Sequence, residues 1–226
     1  MSFTELKKEV CRQNLRLFEQ KLVILTEGNV SQVSADRKYF AIKPSGVLYE
    51  ELTPSKIIVL DLSGRIVEGK GKPSTDAPTH AEMYLEKKEI SGIAHTHSPF
   101  ATIFSQMKKS IPCYGTTHAD AFSGEVPVTR LLTEEEIFDD FETNTGKVIC
   151  EVIDPTKHRA VLVSGHGPFA FGTSAKDAVD HALILEKVAM MALMGEYEGP
   201  LQDSLLKHYH FNRKHGKGKH KYYGQG

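Results

Sequence analysis

Apolar and polar positions alternate with a period that changes along the chain. Ser2 and Glu5 have the spacing of a helix capping box. After them, apolar residues recur at helical intervals through Leu6, Val10 and Leu17, which predicts a first helix. From residue 22 to 69 the period shortens. The runs VSQVS, YFAIK, KIIVLDL and RIVEG are β-prone and are separated by Gly, Pro, Ser and Asp, the pattern of strands joined by tight connections. Residues 79–88 return to a helical pattern. Residues 92–97 read as a short apolar strand ending in histidines, and a helix follows from about residue 99. Residues 133–142, acidic in the first turn, predict another helix. Residues 160–164 predict a strand closed by the turn-like GHGPF. Ser174 opens a long helix running towards Glu196, and 204–214 a last one. The segment TTHAD, 116–120, is polar between β-prone stretches and is expected as a loop. The closing HGKGKHKYYGQG carries no core pattern.

Strands first, then strands mixed with helices, predict one α/β domain over residues 1–226, with a mixed, mostly antiparallel sheet between helical layers. The early strand connections are too short to carry the crossover helices of a doubly wound parallel sheet. Composition adds exclusions rather than a function. With 28 basic and 29 acidic residues in 226, the net charge of −1 points to neither nucleic acid nor a membrane surface. Three widely spaced cysteines, Cys11, Cys113 and Cys150, are no disulfide framework and fit a reducing compartment. The opening MSFTELKKEV lacks the apolar run of a signal peptide, and no stretch is long and apolar enough to span a bilayer. A soluble cytoplasmic protein is expected.

Five segments carry possible chemistry, each with a plain structural alternative. In His95-Thr96-His97, residues two apart on a strand share a face, so two imidazoles can grip one ion. With His166 in SGHGPF they would make a three-histidine site with an open position, the catalytic rather than the structural zinc pattern. The alternative is a set of ordinary hydrogen-bonded histidines. In KPSTDAPTH, 72–80, two hydroxyls and a carboxylate stand before a helix. They suit an oxyanion site, but also a simple N-cap. In IKPSGV, 42–47, Lys43, Ser45 and the backbone of Gly46 can hold a phosphate with a charge, a hydroxyl and an N–H, or merely make a turn. Asn29 in GNVS is equally ambiguous. In TTHAD, Asp120 can act as a general acid or base, or belong to a polar loop. The tail is by default a solvated basic end, although Tyr222 and Tyr223 would suit a segment that orders over a site.

Together these pieces stop being independent. GNVS, IKPSGV, KPSTDAPTH, AHTHS, TTHAD, SGHGPF and the terminal YYGQ, in this order and spacing, resemble the L-ribulose-5-phosphate 4-epimerases, a branch of the class II aldolase/epimerase superfamily. The resemblance runs from Leu6 to Gln225. It implies a three-layer α/β/α sandwich around a mostly antiparallel sheet and a homotetramer with active sites at subunit interfaces. It further implies a metal held by His95, His97 and His166 with Asp76 beside them, zinc first, manganese or cobalt in its place. Asn29, Lys43, Ser45, Gly46, Ser74 and Thr75 match the groups that bind the phosphate and neighbouring oxygens of a sugar phosphate. Asp120 and Tyr223 match the proton-transfer pair, contributed in part by a neighbouring subunit. Thr116, Glu142 and Arg213 fall at supporting polar positions. The implied reaction interconverts L-ribulose 5-phosphate and D-xylulose 5-phosphate by retro-aldol cleavage of C3–C4, rotation of the aldehyde and re-addition. A fuculose- or rhamnulose-phosphate aldolase is the alternative, and a non-enzymatic metal-binding protein on the same fold a remote one. Fuculose-phosphate aldolase carries a glutamate where this chain has Asp76. Thr75 replaces a usual serine, which leaves a hydroxyl in place.

Overall fold

A computed structural model describes residues 2–208. The chain opens with α1 (Phe3–Glu19). Four strands follow, β1 (Asn29–Val33), β2 (Tyr39–Ile42), β3 (Ile58–Asp61) and β4 (Ile66–Glu68), then α2 (Ala77–Glu86) and β5 (Gly92–His95). Three helices, α3 (Pro99–Met107), α4 (Thr116–Ala121) and α5 (Glu134–Val152), precede β6 (Ala160–Leu162) and β7 (Pro168–Gly172). The long α6 (Ala175–Met194) and the short α7 (Asp203–Leu206) complete the order. The strands form one sheet in the order β4-β3-β2-β1-β5-β7-β6. Every strand pairing is antiparallel, and the parallel element is an isolated bridge between Val128 and Leu162.

The alternation along the strands builds the two sides of the sheet. Phe40, Ile42, Ile58, Leu60, Ile93, Phe169 and Phe171 pack in one core with residues of α2 and α5. Their neighbours Ala41, Val59, Ala94 and Ala170 pack in the other with α1, α3 and α6. Period-two alternation sends adjacent residues to opposite faces, so the architecture is the expected α/β/α sandwich. Three small alanines on one face let α6 lie close, while bulky side chains on the other hold α2 and α5 further off. Ser2 caps α1 through a full capping box with Glu5, and Thr133 does the same for α5 with Glu136.

Three expectations need correction. TTHAD is not a loop but α4, begun at Gly115 and closed by Phe122 N–H donating to the His118 carbonyl. Its two alanines favour the turn that its hydroxyls left undecided. The helix expected over 133–142 continues to Val152, with a break at Asp140 (φ −155°, ψ 86°). Its second half buries the small or polar Asn144, Thr145 and Gly146 together with Val148 and Ile149, and it lies tightly on α2. A Cβ at Gly146 would stand 2.6 Å from Glu82 Cβ, and Thr79 Oγ1 donates to the Glu142 carbonyl at 2.6 Å. Finally, the segment after GHG is not only a turn: it forms β7, an internal strand paired on both sides. The last helix is described as Asp203–Leu206, and residues 209–214 of the expected 204–214 lie outside the described residues. Among the described residues no helix is long and apolar enough to cross a membrane.

Candidate functional site

Strand register brings distant motifs to one end of the sheet. Asn29 opens β1 directly opposite His95, the last residue of β5. His95 in turn sits opposite Phe169 of β7, which places His166, three residues earlier, beside it. Lys43 follows the end of β2. Its carbonyl accepts from Ser74 N–H at 3.1 Å, while Ser45 N–H donates to Lys72 O at 2.9 Å. That pairing clips the loop KPSG to the loop KPST. The result is a cavity of about 250 Å³ lined by 14 residues. They include ten of the expected ones: Asn29, Lys43, Ser45, Gly46, Ser74, Thr75, Asp76, His95, His97 and His166.

The histidines converge. β5 ends at His95, yet the turn that follows keeps His97 on the same side, and the two Nε2 atoms are 3.1 Å apart. The three rings lie with centroids 4.8 to 5.1 Å apart, and one nitrogen from each falls within 4.8 Å of the others. Two nitrogens bound to one tetrahedral zinc at ~2.0–2.1 Å would be roughly 3.3 Å apart, close to the observed Nε2 separation. His95 Nδ1 is engaged by the Pro168 carbonyl at 3.0 Å, which fixes its ring and leaves Nε2 facing the cluster. Burial pushes His95 down to about 3, against the pull of Asp76, and burial lowers His166 too. Both are therefore neutral at ordinary pH, the state a metal ligand needs. His166 Nδ1 is buried with no partner. The donor set fits a metal such as zinc.

Asp76 stands at the start of α2 without capping it: its side chain makes no cap hydrogen bond. Instead Oδ2 accepts from Asn29 Nδ2 at 2.7 Å, and the same Nδ2 donates to Ser74 Oγ at 3.0 Å. Burial opposes ionisation of Asp76, but His95, His80, His166 and the Asn29 donor together hold its carboxyl below the ordinary value. It is thus an anion in the same cavity as the histidines, outside the group of three whose donor atoms lie within 4.8 Å of one another. Asn29 Oδ1, buried in the same wall, has no protein partner and can accept from a ligand hydroxyl.

Lys43 is buried, and burial pushes its ammonium down to about 8. It donates to the Thr26 carbonyl at 3.0 Å and lies 4.8 Å from the centre of the Tyr49 ring. Part of its bonding capacity therefore holds the loop 26–28, and the remaining N–H groups are available to an anion. Gly28 in that loop has φ +67°, and a Cβ there would fall 2.5 Å from Val23 Cγ1 and 2.9 Å from the His95 carbonyl. The loop can press against the histidine strand only with glycine at this position.

Other expected residues stand elsewhere. Thr116 and Asp120 lie on α4, and neither lines this cavity. Thr116 instead borders a second cavity with Tyr114, His118 and Tyr197. Glu142 contributes its carbonyl to Thr79, and its side chain is not part of the cavity wall. Arg213 and Tyr223 lie outside the described residues. The three cysteines are free, and none joins the histidine group. Sequence reasoning missed Thr26, Glu27 and Pro44 in the cavity wall. The Glu-Gly-Asn order beside β1 was the available signal, since a residue before a left-handed glycine is set by that turn.

Fold and site together define a three-layer α/β/α domain whose sheet end carries converging histidines above two clipped polar loops. Residues 8–193 match the family Class II Aldolase and Adducin N-terminal domain, and the chain belongs to that family. Among solved structures, an L-fuculose 1-phosphate aldolase is 26% identical, covering 91% of this chain and 94% of its own, with a TM-score of 0.78. The L-fuculose-1-phosphate aldolase from Thermus thermophilus is 25% identical, covering 85% and 98%, at a TM-score of 0.66. YgbL from Klebsiella pneumoniae is 23% identical, covering 92% and 99%, at 0.76, and speaks to the fold alone.

Proposed function

We propose that this chain is a metal-dependent sugar-phosphate enzyme, and specifically that it interconverts L-ribulose 5-phosphate and D-xylulose 5-phosphate. The observation that carries the reading is the state of Asp76. It is short, buried and held at 2.7 Å by Asn29, beside a three-histidine group and in one cavity with a phosphate-type loop pair. A carboxylate so anchored is suited to standing against a cation and poorly suited to carrying protons to carbon. A longer, freer glutamate, as in the resembling aldolases, would be suited to the second task.

His95, His97 and His166, with Asp76, would hold the ion, which when bound supplies Lewis-acid stabilisation of charge developing at the substrate's ketone end. Ser45, Ser74, Thr75, the Gly46 amide and Lys43 would grip the phosphate. Retention of the phosphorylated aldehyde after C3–C4 cleavage makes re-addition an intramolecular step, and rotation before re-addition inverts C4. Two groups must move a proton on opposite faces of that carbon, and Asp120 and Tyr223 are assigned to this work. Asp120 does not border the cavity of its own chain, so the assignment requires a second copy to supply it, as in a homotetramer with sites between subunits. The exposed apolar side chains Phe138 and Met194, 80% and 74% accessible, suit such contacts.

The aldolase reading draws on L-fuculose-1-phosphate aldolases among the neighbours, two of them at 25% identity or more. One assay separates the two: zinc-loaded protein with L-ribulose 5-phosphate, following D-xylulose 5-phosphate and free glycolaldehyde phosphate together. Xylulose phosphate without free fragment is expected. Free fragment alone, or turnover only of fuculose or rhamnulose phosphate, would transfer the chain to the aldolases.

A further inference from the structure

Glu27 lies on the cavity wall, between Thr26 and Gly28, and its carboxylate oxygen Oε2 is 3.6 Å from His97 Nδ1. His97 directs Nε2 to the histidine cluster, so Nδ1 is its outward nitrogen. The other two rings differ: His95 Nδ1 is met by the neutral Pro168 carbonyl, and His166 Nδ1 by no protein atom. Glu27 thus places a charged acceptor next to one ring of the three.

That placement is built rather than incidental. The second oxygen, Oε1, accepts from Ile24 N–H at 3.1 Å. Tyr49 Oη donates to the carbonyls of Glu27 itself, at 2.8 Å, and of Gly28, at 3.1 Å. Lys43 holds Thr26, and the left-handed Gly28 seats the loop on His95. The backbone on both sides of Glu27 is therefore pinned, which leaves the side chain few ways to turn from His97. The distance is just beyond hydrogen-bond range and well within that of a charge contact. Ligating imidazoles characteristically give their second N–H to an acceptor, which fixes tautomer and ring angle and raises ligand basicity. Charge balance points the same way: a divalent cation among three neutral imidazoles leaves two positive charges, and Asp76 and Glu27 supply two negative ones.

We infer that Glu27 is a positioning residue for the metal centre, acting through His97 to hold its Nδ1–H and to tune how tightly the site binds zinc. The inference rests on the reading of His95, His97 and His166 as metal ligands. Because both Glu27 and His97 are about one-third exposed, the effect belongs at the lower end of the roughly 10–100-fold range for such partners.

The test is zinc affinity of the intact protein, measured by competition with a chromophoric chelator, with visible spectra of the cobalt(II)-loaded form beside it. Glu27→Ala is expected to weaken zinc about tenfold and to alter the cobalt bands. Glu27→Gln, which keeps an acceptor for Ile24 N–H and His97 but loses the charge, should fall between Glu27→Ala and the parent. Melting temperatures of the metal-free proteins should match. Parent-like zinc affinity and cobalt bands in Glu27→Ala, with His97→Ala unable to bind, would overturn the role of Glu27 alone. Failure of the parent itself to bind either ion would instead overturn the metal reading.

Discussion

At the end of the sheet, the candidate ligands and binding groups are held from several directions. His95 is fixed by Pro168, Asp76 by Asn29, and the loops of Ser45 and Ser74 by each other. Around α4 the construction is different. Asp120 sits on a six-residue helix with no side-chain cap. The loop before it is tied to the segment after α6 and to Val126: Tyr114 stacks on Tyr197 at 3.9 Å between ring centres, Leu201 N–H donates to the Cys113 carbonyl at 2.7 Å, and Ile111 and Val126 exchange backbone hydrogen bonds at 3.1 and 3.0 Å. One region is a strand-borne cavity of candidate binding groups that a single chain assembles. The other presents a carboxylate away from that cavity, on a short helix strapped by later chain. The contrast argues that binding and proton transfer reside on separable parts, which substitutions should uncouple.

The largest effect should come from the binding region. His97→Ala is expected to abolish both zinc content, measured by elemental analysis after gel filtration, and turnover, by about 10³-fold or more. Stoichiometric zinc in that variant would break the contrast outright, because the rigid end of the sheet would then not be the metal site. Asp120→Asn should come next. It should slow epimerisation by about 10²–10⁴-fold, the usual worth of a proton-transfer group, while zinc content and melting temperature stay at parent values. Lost zinc would move Asp120 into the binding apparatus and erase the distinction.

The same division explains what the sequence disclosed. The strand-borne half was legible because it is written locally: alternation in YFAIK, two histidines two apart, hydroxyls beside glycine or before a helix. Asp76 was only half legible. Locally it reads as a cap, and what removes it from that duty is Asn29, 47 residues earlier, brought to it by β1. Glu27 was silent for the same reason, since its neighbour His97 is 70 residues away and only the β1–β5 register joins them. β7 hid behind a turn-like GHGPF, although its alternation of Phe169, Ala170 and Phe171 fits the two cores. The second half of α5 hid because its buried face begins with Asn144, Thr145 and Gly146, small or polar residues that no apolar periodicity reports, with Gly146 the point of close approach to Glu82 of α2, and only then resumes with Val148 and Ile149.

A smaller effect probes the phosphate side. Burial pushes Lys43 down to about 8, so the folded chain disfavours its charged form. Between pH ~8 and ~10.4 the unfolded chain keeps this proton and the folded chain does not. Lys43 therefore makes stability rise with pH across that window, and its penalty is fully present below it. Phosphate binding has the opposite slope, because it needs the ammonium. Affinity for inorganic phosphate, measured by calorimetry, should fall about tenfold from below pH 8 to pH 9 through this group. Lys43→Met should bind more weakly and lose that step. An unchanged step in the variant would mean that Lys43 serves only the loop 26–28.

The smallest effect tests how the loop is pinned. Tyr49 is fully buried, and its ring stacks on Phe18 at 5.2 Å with an interplanar angle of 4°. Burial, with Glu27 nearby, pushes its phenol up, so the hydroxyl remains a donor to the Glu27 and Gly28 carbonyls. Tyr49→Phe keeps the stack and the contact with Lys43 but leaves those two carbonyls without this donor. A loss of about 1 kcal/mol is expected, seen in urea as a lower midpoint with an unchanged slope. Zinc affinity should fall by less than in Glu27→Ala, because the carboxylate remains and only its backbone support is loosened. A zinc loss equal to that of Glu27→Ala would instead locate the control of His97 in the loop's backbone rather than in the carboxylate it carries.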